Sequence, residues 1–297
     1  MIQDLMIERA KQLLLSGEIT CAAGWKRGDF ITDSQPAIFE SLQELENLVY
    51  DKYCAANLSK YLVGLNLKEG KILVFLKPCD SYSFNQLVKE NLIKRESVYI
   101  IGIGCEGNIR LEEMQGTELL ERCLVCTKTE HVVYDELVGE QLNAREARSR
   151  FEGVLELEQM SSGNRYGFWH EQLSRCIRCN ACRNVCPSCN CRKCVFDNNK
   201  YDTGQKASVS TFEDQMFHII RAYHVAGRCT DCGECSRVCP QLIELHLLNR
   251  KFIKDINTLY GPYQAGEDIS AQGPLTDFNA KTDPEPGIIH QGGQADV

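Results

Sequence analysis

One spacing of cysteines occurs twice in this chain and restricts its fold more than any other feature. The pattern C-x2-C-x2-C-x3-C followed by proline runs from Cys176 to Pro187 and again from Cys229 to Pro240. Proteins usually bind a structural zinc ion through paired C-x2-C units, whereas a full quartet that ends in Cys-Pro is typical of iron–sulfur sites. The sequence therefore predicts iron–sulfur clusters in this part of the chain.

The spacing also predicts which cysteines share a cluster. Three close cysteines wrap one face of a cubane, while the fourth projects away and reaches the other cluster, as in bacterial two-cluster ferredoxins. We therefore expect two [4Fe–4S] clusters with crossed ligands. The ligands of the first are Cys176, Cys179, Cys182 and Cys239. The ligands of the second are Cys229, Cys232, Cys235 and Cys186.

The total of 17 cysteines in 297 residues supports metal ligation over disulfides. The N-terminal stretch "MIQDLMIERAKQLLLSG" has no signal-peptide pattern, which predicts a cytoplasmic protein whose thiols stay reduced. A formal charge of −8 argues against a nucleic-acid partner, because phosphate binding needs clustered Lys and Arg. The sequence has no run of about 18 apolar residues, so we expect no membrane span.

Residues 1–150 are expected to form an α/β domain with a small, mainly parallel sheet. The apolar runs at 71–76 and 98–103 read as buried strands, and the helical segment "DSYSFNQLVKENL" between them predicts a parallel pair. Residues 2–16 are expected to be helical, and "EITCAAGW" is expected to be a strand. Ser41 and Glu44 form a capping-box pattern that predicts a second helix over 42–63.

Residues 151–260 are expected to form a ferredoxin-like dicluster domain of the α+β or α-helical class. It would begin with a connector at 151–175, contain a helical insert at "TFEDQMFHIIRAYHVAG", and close with the helix "LIELHLLNRKFIKDINTLYG". Residues 261–297 contain half of the chain's eight prolines and predict an extended or disordered tail. The tail is either an arm that lies on a partner subunit or a plain terminus.

A second constellation of cysteines lies in the first domain. Cys79 follows the strand at 71–76, Cys105 follows the strand at 98–103, and "CLVC" supplies Cys123 and Cys126. Because the carboxyl ends of parallel strands meet at one edge of a sheet, Cys79 and Cys105 should lie close together. The four thiols predict a third [4Fe–4S] cluster, with zinc or unligated buried cysteines as the alternatives.

Three further cysteines follow the first quartet in "SCNCRKC", namely Cys189, Cys191 and Cys194. They are expected to ligate a fourth cluster, to bind zinc with His218 or His224 as the fourth ligand, or to be unligated. The two histidines are six residues apart on one predicted helix and so do not share a face. Each is otherwise expected to be solvated or to cap the helix. Cys21 and Cys54 are expected in the core.

The segments "QPAIFESLQELENLVYDKYCAANLSKYL", "KPCDS", "GIGC" and "CLVC" resemble the beta-subunit family of deazaflavin-reducing hydrogenases and formate dehydrogenases. The two cysteine-rich segments resemble a branch of that family with a C-terminal ferredoxin-like dicluster domain. The resemblance implies an anaerobe's electron-transfer subunit within a larger complex of flavin and iron–sulfur subunits. Members of the family bind FAD and carry a glycine-rich segment before the first helix, and the stretch "MIQDLMIERAKQLLL" contains no glycine. FAD would then occupy a nonstandard site or a neighbouring subunit.

Three functions follow from these patterns. The first is an electron relay between partner subunits of a hydrogenase, formate dehydrogenase or heterodisulfide-reductase-like complex, with no substrate turned over by this chain. The second is a flavin-binding subunit that reduces a diffusible carrier, NAD(P) or a deazaflavin, with electrons from its own clusters. The third is a structural scaffold held by zinc. Metal and flavin content distinguish the three.

Overall fold

The chain divides into two compact units. A computed structural model describes residues 2–65, 70–112, 116–140, 147–197 and 211–276, together with residues 281 and 283. Unit 1 comprises Met1–Arg148 and Gly266–Ser270, and unit 2 comprises Ser149–Ala265 and Ala271–Val297. The boundaries expected from the sequence, at 150 and 260, stay predictions.

A five-stranded sheet forms the centre of unit 1, with strand order β2-β1-β3-β4-β7. Its strands are β1 (Cys21–Arg27), β2 (Ser34–Phe39), β3 (Ile72–Leu76), β4 (Val98–Ile103) and β7 (Glu136–Val138). β1, β3, β4 and β7 run parallel, and β2 pairs antiparallel with β1 at one edge. Every residue of β3 is buried, which fits a continuous apolar strand in a sheet covered on both faces. The expected mainly parallel sheet is therefore confirmed.

Helices and one hairpin complete unit 1. They are α1 (Ile2–Leu15), α2 (Pro78–Lys89), α3 (Glu121–Leu124), and the antiparallel pair β5 (Ile109–Glu112) and β6 (Gly116–Leu119). α2 begins with proline at its first turn, where the missing N–H has no helical partner to lose. As a result, α2 begins two residues before the predicted helix and places Cys79 in its first turn.

The helix predicted over 42–63 is wrong. A short 3-10 turn at Glu44–Asn47 stands near its start. Half of the capping box forms, since the Glu44 N–H donates to Ser41 Oγ at 3.2 Å, while the Glu44 carboxylate accepts from the Glu40 N–H at 2.6 Å. The chain then runs back beside β1, where the Val49 N–H donates to the Trp25 carbonyl at 2.9 Å. Tertiary pairing with β1 therefore overrides the local helical signal.

Unit 2 is helical wherever the structure describes regular elements in it. Its helices are α4 (Glu152–Gln159), α5 (Ser162–Ser174), α6 (Ala181–Val185), α7 (Thr211–His224), α8 (Glu234–Arg237) and α9 (Leu245–Tyr260). α4 and α5 occupy the expected connector, which is therefore helical. α7 and α9 occupy the predicted insert and closing helix. None of the described helices is both long enough and apolar enough to cross a membrane.

The start of the predicted tail is folded rather than extended. Ala265 is buried, and Arg150 donates to the Gln264 side chain at 2.8 Å. Gly266 has a φ of +79°, and a Cβ there would lie 1.9 Å from the Tyr82 carbonyl oxygen. Only glycine fits this close approach of two backbones. Most of the tail beyond 276 lies outside the described residues.

Candidate metal centres

The two cysteine motifs of unit 2 share one backbone conformation. Positive φ angles occur two and four residues after the first cysteine of each motif, at Arg178 (55°) and Asn180 (61°), and at Asp231 (58°) and Gly233 (66°). A short helix follows in both cases, α6 in the first motif and α8 in the second. Positive φ is uncommon for residues other than glycine, so its recurrence at matched positions indicates a constrained ligand loop.

This conformation directs backbone N–H groups at the cysteine sulfurs. The Arg178 N–H donates to Cys176 Sγ at 3.4 Å. In the second motif the Asp231 N–H bonds to Cys229 in the same way, and this bond partly offsets the rise in the pKa of Cys229 that burial causes. Hydrogen bonds to sulfur favour the thiolate, which is the form that binds metal. The loops are therefore preorganised for ligation.

The four predicted ligands of the first cluster lie around one pocket. Cys176, Cys179, Cys182 and Cys239 all line it, together with apolar side chains that include Phe217. Electrostatic interaction links Cys182 with both Cys176 and Cys239, which are 63 positions apart in the chain. The structure thus brings the last cysteine of the second motif to the first three of the first motif.

The second set shows the reciprocal arrangement. Cys186, the last cysteine of the first motif, interacts electrostatically with Cys229, Cys232 and Cys235. Cys186 is buried, and Cys235 is buried beside it in the same unit. The crossing of the fourth cysteines follows the spacing of a two-cluster ferredoxin.

Burial opposes ionisation of these thiols when no metal is bound to them. Desolvation raises the pKa of Cys182 to about 12 and raises the pKa of Cys229 well above its usual range. The pKa of Cys186 is raised first by a hydrogen bond with Cys189 and then by burial. Metal ligation supplies the positive charge that lets such thiols lose their protons. The donor set therefore fits two iron–sulfur clusters.

His218 lies against the first site. It is buried, and its Nε2 is 3.2 Å from Cys176 Sγ. Burial, followed by the charges of Arg221 and Arg178, lowers the pKa of His218 to about 3, so the ring is neutral. If Cys176 binds a metal as a thiolate, the His218 Nε2–H would donate to its sulfur. The expectation of a solvated or capping His218 is wrong, because α7 turns this residue inward, whereas His224 is exposed.

The three additional cysteines have different surroundings. Cys189 is next to Cys186, and Cys191 is exposed. The Cys194 N–H donates to Asp197 Oδ2 at 3.3 Å. Over the described ranges, no group of three or more His, Cys, Asp or Glu side chains is placed to hold a single metal ion. A cubane differs from a single ion because each thiolate binds a separate iron. Zinc and a fourth cluster both stay predictions.

The predicted site of unit 1 lies at the carboxyl edge of the sheet. β3 and β4 are parallel and in register up to the Leu76–Gly102 pair, so Cys79 and Cys105 follow neighbouring strand ends. Cys126 interacts electrostatically with Cys79, and Cys123 interacts with Cys105. The structure thus links the four cysteines in two pairs at this edge.

Backbone N–H groups again point at sulfur. The Gly107 N–H donates to Cys105 Sγ at 3.4 Å, and the Asn108 N–H donates to Cys123 Sγ at 3.3 Å. Gly107 has a φ of 97°, a conformation that glycine adopts without steric cost. The loop after β4 therefore serves two of the four sulfurs, which fits a thiolate-bound cluster.

A buried ion pair stands beside these cysteines. Lys77 Nζ lies 3.0 Å from Asp80 Oδ2, and both side chains are 0% exposed. Lys77 also donates to the backbone carbonyls of Cys54 and Ala56. Burial lowers the pKa of Lys77, but interaction with Asp80 and Cys79 raises it by a larger amount. The ammonium therefore stays charged. Sequence reasoning missed this cation, although a Lys and an Asp three residues apart around "KPCD" were a usable signal.

Cys21 and Cys54 are both buried in the core of unit 1, as expected. Burial raises the pKa of Cys54 to about 11. Both thiols are therefore protonated and inert at neutral pH.

Both cysteine motifs of unit 2 lie within the match to a known family. A family model described as "4Fe-4S dicluster domain" matches residues 172–243. Over most of its length the chain is homologous to β subunits of F420-dependent formate dehydrogenases. It is 21% identical to the β subunit from Methanocaldococcus jannaschii, over 79% of this chain and 84% of that protein. It is 22% identical to the formate dehydrogenase 1 β subunit from Methanococcus maripaludis, over 73% and 78%. The resemblance drawn from the motifs is confirmed.

Proposed function

We propose that this chain is an iron–sulfur electron-transfer subunit of a multi-subunit oxidoreductase. The observation that carries the proposal is that the last cysteine of each motif lies with the other motif. Cys239 is beside Cys182 and Cys176, and Cys186 is beside Cys232 and Cys235. The homology to formate dehydrogenase β subunits supports the same function. Clusters of this kind exchange single electrons without making or breaking bonds to substrate.

The protein's own residues determine how such clusters would behave. The crossed cysteines would hold two clusters within one small helical unit and so would supply two one-electron carriers. N–H donors at Cys105, Cys123 and Cys176 would stabilise cluster-bound thiolates and raise the reduction potential of the clusters that these cysteines hold. Burial of Cys182 and Cys235 excludes water from the sulfurs. The third cluster, at Cys79, Cys105, Cys123 and Cys126, would extend the relay into unit 1.

The partners would be other redox subunits. The relatives are named as β subunits of formate dehydrogenases, which supports a partner of the formate dehydrogenase type for this chain. A hydrogenase-type or flavoprotein partner fits the same donor set. We place the complex in the cytoplasm of an anaerobe, where reduced thiols and oxygen-sensitive clusters persist.

The composition of the purified chain tests the proposal. Anaerobic purification followed by analysis of iron, acid-labile sulfide, zinc and flavin should give about 12 iron and about 12 sulfide per chain for three cubanes. About 16 of each would assign a fourth cluster to the region of Cys189, Cys191 and Cys194. A Cys191→Ala, Cys194→Ala double variant should then lose about four iron atoms. A zinc-loaded chain with little iron would refute the electron relay.

A second candidate function is a flavin-binding subunit that reduces a diffusible carrier. A cavity of about 310 Å³ in unit 1 favours it, because the cavity opens beside the predicted ligand Cys105. Its lining includes Tyr50, Lys52, Gly104, Gly107 and Asn108. A ring system in this cavity would lie next to the third cluster and could exchange electrons with it.

Flavin stoichiometry separates the two candidates. One tightly bound flavin per isolated chain, lost in a Gly104→Trp variant that keeps its iron, would support the second candidate. A chain that carries iron and sulfide without flavin, even after incubation with FAD, would support the relay alone.

A further inference from the structure

Helix α7, the insert between the two motifs, buries a polar face. Asp214, Phe217, His218 and Arg221 occupy positions i, i+3, i+4 and i+7, so they share one side of the helix. All four are at most 2% exposed. Charged side chains are rarely buried without a partner, so this face requires an explanation beyond packing.

Arg221 is the least satisfied of these side chains. It is 2% exposed, and its Nε, Nη1 and Nη2 atoms have no hydrogen-bond partner among the described residues. A guanidinium carries five N–H donors and stays charged at any pH a protein survives. A buried charge without hydrogen bonds is strongly unfavourable, which points to an acceptor that binds at this place.

The groups around Arg221 belong to both predicted clusters. Burial lowers the pKa of Arg221, but the thiolates of Cys235, Cys182, Cys186 and Cys189 raise it by more. Cys182 is a predicted ligand of the first cluster, while Cys235 and Cys186 are predicted ligands of the second. The guanidinium therefore lies within electrostatic reach of both ligand sets.

We propose that Arg221 is a positioning residue that donates hydrogen bonds to sulfur at both clusters of unit 2 and sets their potentials together. The inference rests on the proposed function. A fork of donors suits two acceptors at once, whereas a lysine ammonium would act as a single point charge. A reduced cluster carries one more negative charge than an oxidised one, so a fixed cation beside it favours the reduced form.

Potentials measured on the full chain test this inference. The two signals are first assigned in an EPR-monitored redox titration by their loss in Cys182→Ala and Cys232→Ala. Arg221→Met should then lower both potentials while iron and sulfide stay at the wild-type level. Arg165→Met is the matched control, because Arg165 donates to the carbonyls of Leu157, Glu158 and Met160, and both potentials should stay unchanged.

The outcomes are distinct from failure of the electron relay. A wild-type chain without stoichiometric iron and sulfide would refute the proposed function itself. A loaded Arg221→Met chain in which one potential or neither is lowered would overturn only the role of Arg221. If Arg221→Met does not retain its clusters, Arg221→Lys decides the question. It should lower both potentials by a smaller amount, and unchanged potentials would overturn the inference.

Discussion

The two units gather their cysteines by different means. In unit 2 one local turn occurs twice, with positive φ at matched positions. The last cysteine of each motif lies beside the cysteines of the other motif. In unit 1 the parallel pairing of β3 and β4 brings Cys79 and Cys105 to one edge of the sheet, and Cys123 and Cys126 come from the segment around α3. A site made of local repeats is visible in the sequence, whereas a site made by sheet topology requires a correct prediction of strand order.

Each unit also has a buried cation beside its cysteines, and the two cations differ in their hydrogen bonds. Lys77 of unit 1 is paired with Asp80 and bonded to two carbonyls within the protein. Arg221 of unit 2 has none of these hydrogen bonds among the described residues. Lys77 therefore stabilises the fold of unit 1, whereas Arg221 has donors left for a bound group, as we propose above.

The largest effect should come from removing ligands of unit 2 in pairs. Cys176→Ala and Cys239→Ala should each abolish one cluster, about four iron atoms, and the double variant should lose no more than either single variant. The reason is that both cysteines serve the same cluster although they belong to different motifs. Iron, sulfide and EPR intensity measure the result.

The matched control combines Cys176→Ala with Cys186→Ala, which belong to the same motif. That pair should lose about eight iron atoms, because it removes one ligand from each cluster. If instead the pair within one motif behaved as one site and the pair across motifs as two, the ligation would not be crossed.

Lys77→Met should give the largest loss of folding stability in unit 1. It leaves the Asp80 carboxylate buried without its cation, which costs about 3–5 kcal/mol. Chemical unfolding followed by Trp25 fluorescence in a Trp169→Phe background reports on unit 1, since the chain has only 2 tryptophans. Adding Asp80→Asn should restore part of the loss.

A surface pair supplies the control for Lys77. Lys11→Met removes an ion pair with Glu46 at 3.2 Å, whose side chains are 32% and 66% exposed, and should change stability by less than about 1 kcal/mol. Equal effects of Lys77→Met and Lys11→Met would show that the buried ion pair is not part of the folded frame.

The sequence predicted what local spacing encodes. It predicted the strand at 98–103 and the burial of Cys54, because each depends on residues that are close in the chain. The ligand roles of the eight motif cysteines stay a prediction. It missed β2, which precedes the predicted helix, and it predicted a helix over 42–63 where the chain instead runs back beside β1. It also misjudged His218, since the inward face of α7 depends on its tertiary packing against α5 and α9.

Acid should affect the two units differently through His246 in α9. Burial and then Arg250 lower the pKa of His246 to about 4 against an opposing effect of Asp231. Below pH 6.5 the unfolded chain binds a proton that the folded chain does not, so stability is complete above pH 6.5 and is lost towards pH 4. At pH 5.5 the loss is about 1.4 kcal/mol.

Hydrogen exchange resolves this effect by peptide. Exchange in α9 should accelerate between pH 7 and pH 5.5, after correction for the intrinsic pH dependence, by more than exchange in β3. His246→Gln should remove the difference, and its amide can still bond to Ser236, which lies 2.9 Å from His246 Nδ1. His224→Gln, at an exposed position, should keep the wild-type profile. Acid sensitivity that survives His246→Gln unchanged would assign it to other groups.

The smallest expected change in stability comes from substitutions in the two motif turns. Gly233 and Asn180 occupy matched positions with φ of 66° and 61°. Gly233→Ala introduces a Cβ into a left-handed conformation and should destabilise unit 2 by about 1 kcal/mol, while Asn180→Gly should change stability by less than that, because asparagine already tolerates this conformation. Thermal loss of the visible cluster absorption measures both variants, with Gly163→Ala in helix α5, where a Cβ meets open space, as the control. A larger loss from Asn180→Gly than from Gly233→Ala would mean that the two turns are not equivalent and that the Asn180 side chain has its own role at the first cluster.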